Sequence, residues 1–268
     1  MLFEAEVGKV NGISREMSLQ TVLFVSAIIL SSCGALPTDA GMEKGADRES
    51  GAGESNGESL QCPDSLGNKR ILVDASHDGG VWWFPQSWTF DPNLHHQGWR
   101  LAHRFRECGY EVEELGRGTV VTDSILLSYS IVIRAGKYGA YREAELNAYE
   151  RYVSRETTLI LLSEGLGEGE TDPVAGRIGL HFVGSFMGQV TEFGTHPITE
   201  GERSIPYFTS SGLLEFDESR VTVLGRLQGV PVMGLLKGYP AKIFFMGDTN
   251  SLETVPQPLV DNLMAWGF

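Results

Sequence analysis

The chain has 268 residues, 41% of them hydrophobic, with 21 basic against 35 acidic residues and a formal net charge of −14. That apolar fraction fills a sizeable core, and once the start of the chain is set aside the rest suits one domain of about 200 residues. The charge argues against nucleic acid as a partner: a phosphate-binding surface needs clustered Lys and Arg, and no basic run occurs in the folded part.

Residues Thr21 to Leu30 (TVLFVSAIIL) form an uncharged apolar run of ten. A membrane-spanning helix needs about 20 residues, so the run suits the hydrophobic region of an export signal instead. It ends in Leu30-Ser31-Ser32-Cys33-Gly34, which resembles the bacterial lipobox. That resemblance implies cleavage before Cys33, a diacylglyceryl group on its sulfur, and attachment to a membrane through that lipid. Gly34 stands where an Asp commonly signals retention at the inner membrane, which leans toward the outer membrane, facing the periplasm or the surface. Lys9 and Arg15 precede the run, and Met1 and Met17 both remain open as the start.

From Gly34 to about Leu60 the chain is rich in Gly, Ala, Ser, Glu and Asp and has no aromatic residue. Such a segment buries too little apolar surface to offset its ordering entropy, so it reads as a flexible tether. The expected organisation is a signal peptide with the lipobox cysteine over 1–33, a tether over 34–66, and a folded domain over 67–268. With Cys33 assigned to lipid, Cys62 and Cys108 make an even pair in an oxidising compartment; a disulfide and two separate thiols both stand as readings.

The domain reads as alternating strands and helices. Arg70 to Ala75 (RILVDA) is a first buried strand, followed by a Gly- and Trp-rich loop to about Asn93. Leu101, Ala102, Phe105 and Cys108 share one helical face, with Gly109 as the stop. Tyr110–Leu115 alternates as a strand, a short helix lies around Asp123–Leu127, and Tyr129–Ala135 is apolar again. Tyr141–Tyr152 is amphipathic, with Leu146, Tyr149 and Val153 inward, and Thr157–Leu162 (TTLILL) is the most hydrophobic and central strand. Further on, Asp172–Leu180 reads as a helix with Pro173 in its first turn. Val221–Leu227, Val232–Leu236 and Lys242–Met246 read as strands, the first two joined at Gln228-Gly229 by a hairpin turn, and a helix runs from about Pro258 to Trp266. This rhythm predicts a three-layer α/β fold: a mostly parallel sheet flanked by helices, flavodoxin- or amidotransferase-like, with a partly antiparallel C-terminal part.

The run GYEVEEL, YSIVIRAG, REAELNAYERYV and TTLILLSEGLGEGE, followed by His196-Pro197-Ile198-Thr199-Glu200-Gly201 and by Gly247-Asp248-Thr249-Asn250 with Asn262 and Trp266, resembles the class I glutamine amidotransferase-like superfamily. The order of these loose motifs, from about Lys69 to Phe268, is similar to its non-catalytic branch, which includes prokaryotic domains of unknown function and the domain shared by gliding-motility and intraflagellar-transport proteins. Active members carry a Cys on the sharp turn after the central strand, with a His and a Glu downstream, because a thiol nucleophile needs an adjacent base held by a third group. Here that turn reads Leu162-Ser163-Glu164-Gly165, with no Cys. Ser163 lacks the G-x-S-x-G elbow, since Leu161 occupies the first glycine position. The resemblance therefore implies no catalytic residue, with Ser163, Glu164 and His77 as the remaining candidates for a rebuilt hydrolase.

Ligands of doubly wound sheets bind outside the carboxyl ends of the strands. This makes Asp74, Ser76, His77 and Asp78 after the first strand, Glu164 and Gly165 after the central strand, and His196 the candidate ligand-binding residues. Hydrogen bonding within a polar loop is the plainer role for Asp74, His77 and Asp78, and no metal ligand set or cofactor motif has the right spacing. His95-His96 are adjacent, and on a helix they would point about 100° apart, which disfavours joint ligation. Glu164, Glu168 and Glu170 would repel a phosphate from their Gly-rich loop, so a sugar or cation fits better there. Trp82, Trp83 and Trp88 either stack on sugars or partners or are buried as a cover over the sheet end. The reading is an envelope lipoprotein whose domain binds a ligand, a glycan among the candidates, or an envelope protein. Its alternative is the hydrolase.

Overall fold

The computed structural model describes residues 62, 70–77, 98–136, 140–254 and 257–267. The expected signal peptide, Cys33, the tether apart from Cys62, and Asp78, Trp82, Trp83, Trp88, His95 and His96 lie outside the described residues.

In chain order the elements are β1 (Arg70–Asp74), α1 (Trp99–Glu107), β2 (Glu111–Leu115), α2 (Asp123–Leu126), β3 (Ile131–Ala135), α3 (Glu143–Val153), β4 (Thr158–Leu162) and α4 (Pro173–Arg177). There follow β5 (Phe182–Val190), β6 (Glu192–Phe193), a short 3-10 turn at Pro197–Thr199, β7 (Ile205–Leu213), β8 (Val221–Leu227), β9 (Val230–Leu236), β10 (Lys242–Met246), α5 (Ser251–Thr254) and α6 (Gln257–Gly267). Eight strands form one sheet in the order β2-β1-β3-β4-β10-β9-β8-β6. The strands from β2 to β10 pair parallel, and β9, β8 and β6 extend the sheet antiparallel. This is the expected α/β class with its antiparallel C-terminal part.

The central strands are apolar throughout because helices cover both faces of the sheet. On one face Ile71, Ile133, Ile160 and Phe244 pack with Leu101 and Phe105 of α1 and Leu259 and Leu263 of α6. On the other, Leu72, Val132, Leu159 and Phe245 pack with Tyr149 and Val153 of α3 and Val174 of α4. The apolar face expected for α1 is the buried one: Leu101, Ala102 and Phe105 are inside, while His103 and Glu107 face solvent. Gln228 (φ 54°) and Gly229 (φ 81°) form the two-residue turn joining β8 to β9; two positive φ values in succession give the twist that a tight hairpin needs.

Two features depart from expectation, and one open alternative is decided. The helix after Asp172 is only one turn and a half, because Gly179 at φ 88° leaves right-handed geometry. β5 and β7 pair antiparallel in a separate two-stranded sheet that the sequence did not announce. Register shifts between Val183, Phe186 and Gly188 break the alternation by which a strand is read from sequence. Finally, Cys62 and Cys108 are joined in a disulfide. It fastens the segment ahead of β1 to the end of α1, three residues before β2 begins, at the edge of the sheet where the parallel strands start.

Candidate functional site

The carboxyl ends of β1, β3 and β4 carry a connected set of buried polar side chains. Asp74 and Arg134 are register partners on β1 and β3. Asp74 accepts from the backbone N–H of Ser76 at 2.9 Å, from the Ser76 hydroxyl, and from the Tyr149 hydroxyl of α3. An Asp bonded to the N–H two residues on makes a turn that ends the strand. Burial, and after it the Asp74 carboxylate, hold the Tyr149 phenol well above its ordinary pKa, so it stays a donor.

Arg134 is the one charge in the apolar run of β3 and has no exposed surface. Its Nη1 donates to Asp172 at 2.6 Å and to the Leu162 carbonyl at 3.3 Å, and its Nε donates to the Tyr141 hydroxyl at 3.2 Å. Burial alone would lower the guanidinium pKa; the equally buried Asp172 carboxylate, together with Tyr141 and Tyr149, more than offsets this and keeps it charged. Nη2 meets no acceptor among the described residues, and leaving a buried donor unmatched costs roughly 1–3 kcal/mol. Asp172 also accepts from the Ala175 N–H at the start of α4 and from the Ser163 hydroxyl at 2.9 Å. Ser163, on the turn after the central strand, therefore donates to a carboxylate already bound to an arginine.

His77 lies at the rim of this set. Its ring stacks on Tyr141 with centroids 3.8 Å apart, and its Nε2 lies 3.3 Å from Glu145 of α3. Glu145 also accepts the N–H groups of Val121 at 3.0 Å and Arg142 at 2.8 Å. Burial would raise the Glu145 carboxyl, but these N–H groups and His77 outweigh it and hold the pKa below the usual range.

A second pair of carboxylates sits at the ends of β4 and β10. Asp248 accepts the N–H groups of Thr209 at 3.1 Å, Phe208, Asn250 at 2.8 Å and Ser251 at 3.2 Å, and so ties β7 to the turn before α5. Gly247 beside it has no room for a side chain, since a Cβ there would lie 1.9 Å from the Ser211 carbonyl oxygen. Glu164 accepts from the Thr249 hydroxyl. Burial, with Asp248 adding to it, pushes the Glu164 carboxyl up to about 7, against the opposing pull of Thr249 and the Gly165 N–H. Gly165 is held by its own N–H on the Thr209 carbonyl at 2.7 Å.

The Glu164 pKa makes stability depend on pH. Below the ordinary carboxyl value of 4.5 both folded and unfolded chains hold the proton. Between there and about 7 only the folded chain holds it, so stability falls as pH rises through this window, by roughly 3 kcal/mol at most. Glu164→Gln, which keeps the neutral shape, is expected to flatten that slope. Urea midpoints at pH about 5 and about 8 should diverge for the wild type and lie closer together for the variant, in which the buried Asp248 and Glu202 carboxyls keep the remaining slope.

Of the residues singled out from sequence, Asp74, Ser76 and His77 belong to the first set, and Glu164 and Gly165 to the neighbouring one. His196 instead accepts the Ile198 N–H at 3.2 Å and caps the 3-10 turn. Among the described residues no hydrogen bond or ion pair joins it to Asp74 or Glu164, and the turn is held by Asn262 of α6 through the Ile198 and Glu200 carbonyls. Arg134, Tyr141, Glu145, Tyr149 and Asp172 were not anticipated. The available signals were a lone Arg inside an apolar strand and an Asp before a helix-opening Pro. Among the described residues no group of three His, Cys, Asp or Glu side chains could hold a metal ion.

No protein-family model matches the chain, and no curated protein matches it in sequence. Among solved structures it is similar to the mmIFT52 N-terminal domain, with a TM-score of 0.52 and 13% identity over 68% of this chain and 87% of that one. It is also similar to a cytoplasmic protein from Salmonella typhimurium LT2, with a TM-score of 0.51 and 13% identity over 74% of this chain and 99% of that one. A glutamine amidotransferase aligns with a TM-score of 0.42 and 17% identity, over 74% of this chain and 99% of that one. At such identities the likeness is one of fold, and the first two structures carry it: the chain has their α/β architecture.

Proposed function

We propose that the chain is a lipid-anchored protein of the bacterial envelope whose amidotransferase-like domain binds a ligand, a glycan or an envelope protein, without transforming it. The observation that carries this reading is the state of Ser163. It occupies the turn where a working relative would hold its nucleophile, yet it is fully buried and donates its proton to Asp172, itself paired with Arg134. A working nucleophile also donates to a base, but its oxygen must reach the substrate and the base must be free to take the proton; Ser163 has no exposed surface and its acceptor Asp172 is bound to Arg134. The Cys62–Cys108 disulfide supports a setting outside the cytoplasm, because such bonds persist in oxidising compartments.

Two measurements test this. Labelling of growing cells with an alkyne-bearing fatty acid should mark the protein, and Cys33→Ser should abolish the mark. On a glycan array the purified chain should bind without cleaving ester or amide probes, and steady turnover of any such probe would overturn the reading. One observation favours the hydrolase alternative: Glu164, with a pKa near 7, could exchange a proton at neutral pH. That alternative requires Glu164→Ala or His77→Ala to abolish turnover in a folded protein.

A further inference from the structure

We propose that Arg134 marks a binding position for an uncharged ligand oxygen, a hydroxyl or a carbonyl, at the carboxyl ends of β1 and β3. This deepens the ligand-binding reading above and rests on it. The position is set by topology. From β1 the chain adds β2 on one side and β3, then β4, on the other, with α1 packed on one face of the sheet and α3 on the opposite face. The crevice outside the strand ends at such a reversal is where open α/β sheets take their ligands.

The chemistry is set by the guanidinium. Nε and Nη1 are matched by Tyr141, Asp172 and the Leu162 carbonyl, whereas Nη2 is buried without an acceptor among the described residues. Native proteins seldom leave such a donor unmatched, and a ligand atom is one of the things that fills the place. Charge then selects the ligand. Asp172 already balances the positive charge of Arg134, and Asp74, its register partner on β1, adds a formal negative charge. Tyr141 and Tyr149, held neutral by burial, and His77, which faces Glu145 at the rim, are the other titratable groups of the set. An anion brought there would meet that excess away from water, where repulsion is strongest. A cation offers Nη2 nothing to bond. A neutral oxygen satisfies both conditions.

Two rings lie beside the guanidinium. Tyr141 lies 5.5 Å from the guanidinium carbon and stacks on His77, whose side chain is 15% exposed. A ring face beside a hydrogen-bond donor suits a neutral saccharide, with its apolar face on the aromatic side and its hydroxyl toward the donor.

The test uses the full-length chain in detergent micelles, with arginine side-chain nitrogens observed by NMR and the Arg134 signals assigned through Arg134→Lys. Titration with neutral monosaccharides, N-acetylglucosamine among them, is expected to shift the Arg134 Nη signals. Glucuronate and inorganic phosphate are expected to leave them in place. His77→Ala, which spares the Arg134–Asp172 pair, should weaken binding about five- to tenfold through loss of one stacking face. If a saccharide binds while the Arg134 signals stay fixed, this inference fails and the ligand-binding reading survives. If no saccharide binds, or anions alone move the signals, the neutral-oxygen site is overturned. A crystal structure placing only a water or a backbone carbonyl against Nη2 in the presence of the saccharide would overturn it as well.

Discussion

Asp172→Asn is expected to destabilise the domain by about 3–5 kcal/mol, lowering the thermal midpoint by roughly 10 °C. The substitution keeps the shape of the side chain and the oxygen that accepts the Ala175 N–H, so the helix cap survives. What it removes is the charge facing Arg134 across 2.6 Å in a place with no solvent for either partner. An arginine without its carboxylate partner there cannot shed its proton and cannot reach water, and the Tyr141 and Leu162 oxygens that remain carry no charge. Adding Arg134→Met is expected to restore most of the loss, because an apolar side chain at that place carries no desolvation cost. Thermal and urea unfolding of the two variants checks the argument. If the double variant is no more stable than the single, the unpaired charge is not the cause.

The pair Cys62→Ser and Cys108→Ser is expected to cost a similar amount, about 4 kcal/mol, from the chain entropy released when a cross-link spanning 46 residues is opened. The cross-linked stretch contains β1, which lies next to the edge strand β2, and α1, which covers one face of the sheet. Reductant should lower the midpoint of the wild type toward that of the variant and leave the variant itself unchanged. An equal midpoint with and without the disulfide would mean that the segment around Cys62 is already ordered by packing.

The legible parts of this fold are those whose sequence pattern follows from burial alone. β1, β3, β4 and β10 are covered on both faces and read as apolar runs, interrupted within β3 only by Arg134; α1 and α3 show one inward stripe each. The Gln228-Gly229 turn announces itself because few residues tolerate its backbone. β5 and β7 were illegible for the opposite reason. They are bulged, half exposed and glycine-bearing, and their pairing joins segments separated by a further strand and a turn. The polar set at the strand ends was partly legible. Asp74 and His77 could be placed by their position after a strand, but what they touch comes from elsewhere: Tyr149 lies 75 residues from Asp74 and Glu145 lies 68 from His77. Spacing along a chain carries no signal for such partners. Arg134 was visible as a charge in an apolar strand, and only the fold could say that Asp172 answers it.

The bond between Cys62 and Cys108 also decides how the domain bears mechanical load. Tension drawn through the N-terminal arm enters at the end of α1 and passes by way of the sulfurs to the start of β2, bypassing β1. While the bond is intact, roughly 150 Å of contour stays hidden from any stretching force, at about 3.4 Å for each of the 46 residues it spans. The strand bearing Asp74 is thus shielded from being peeled out of the sheet, and a pull on the arm leaves the geometry at the opposite edge undisturbed.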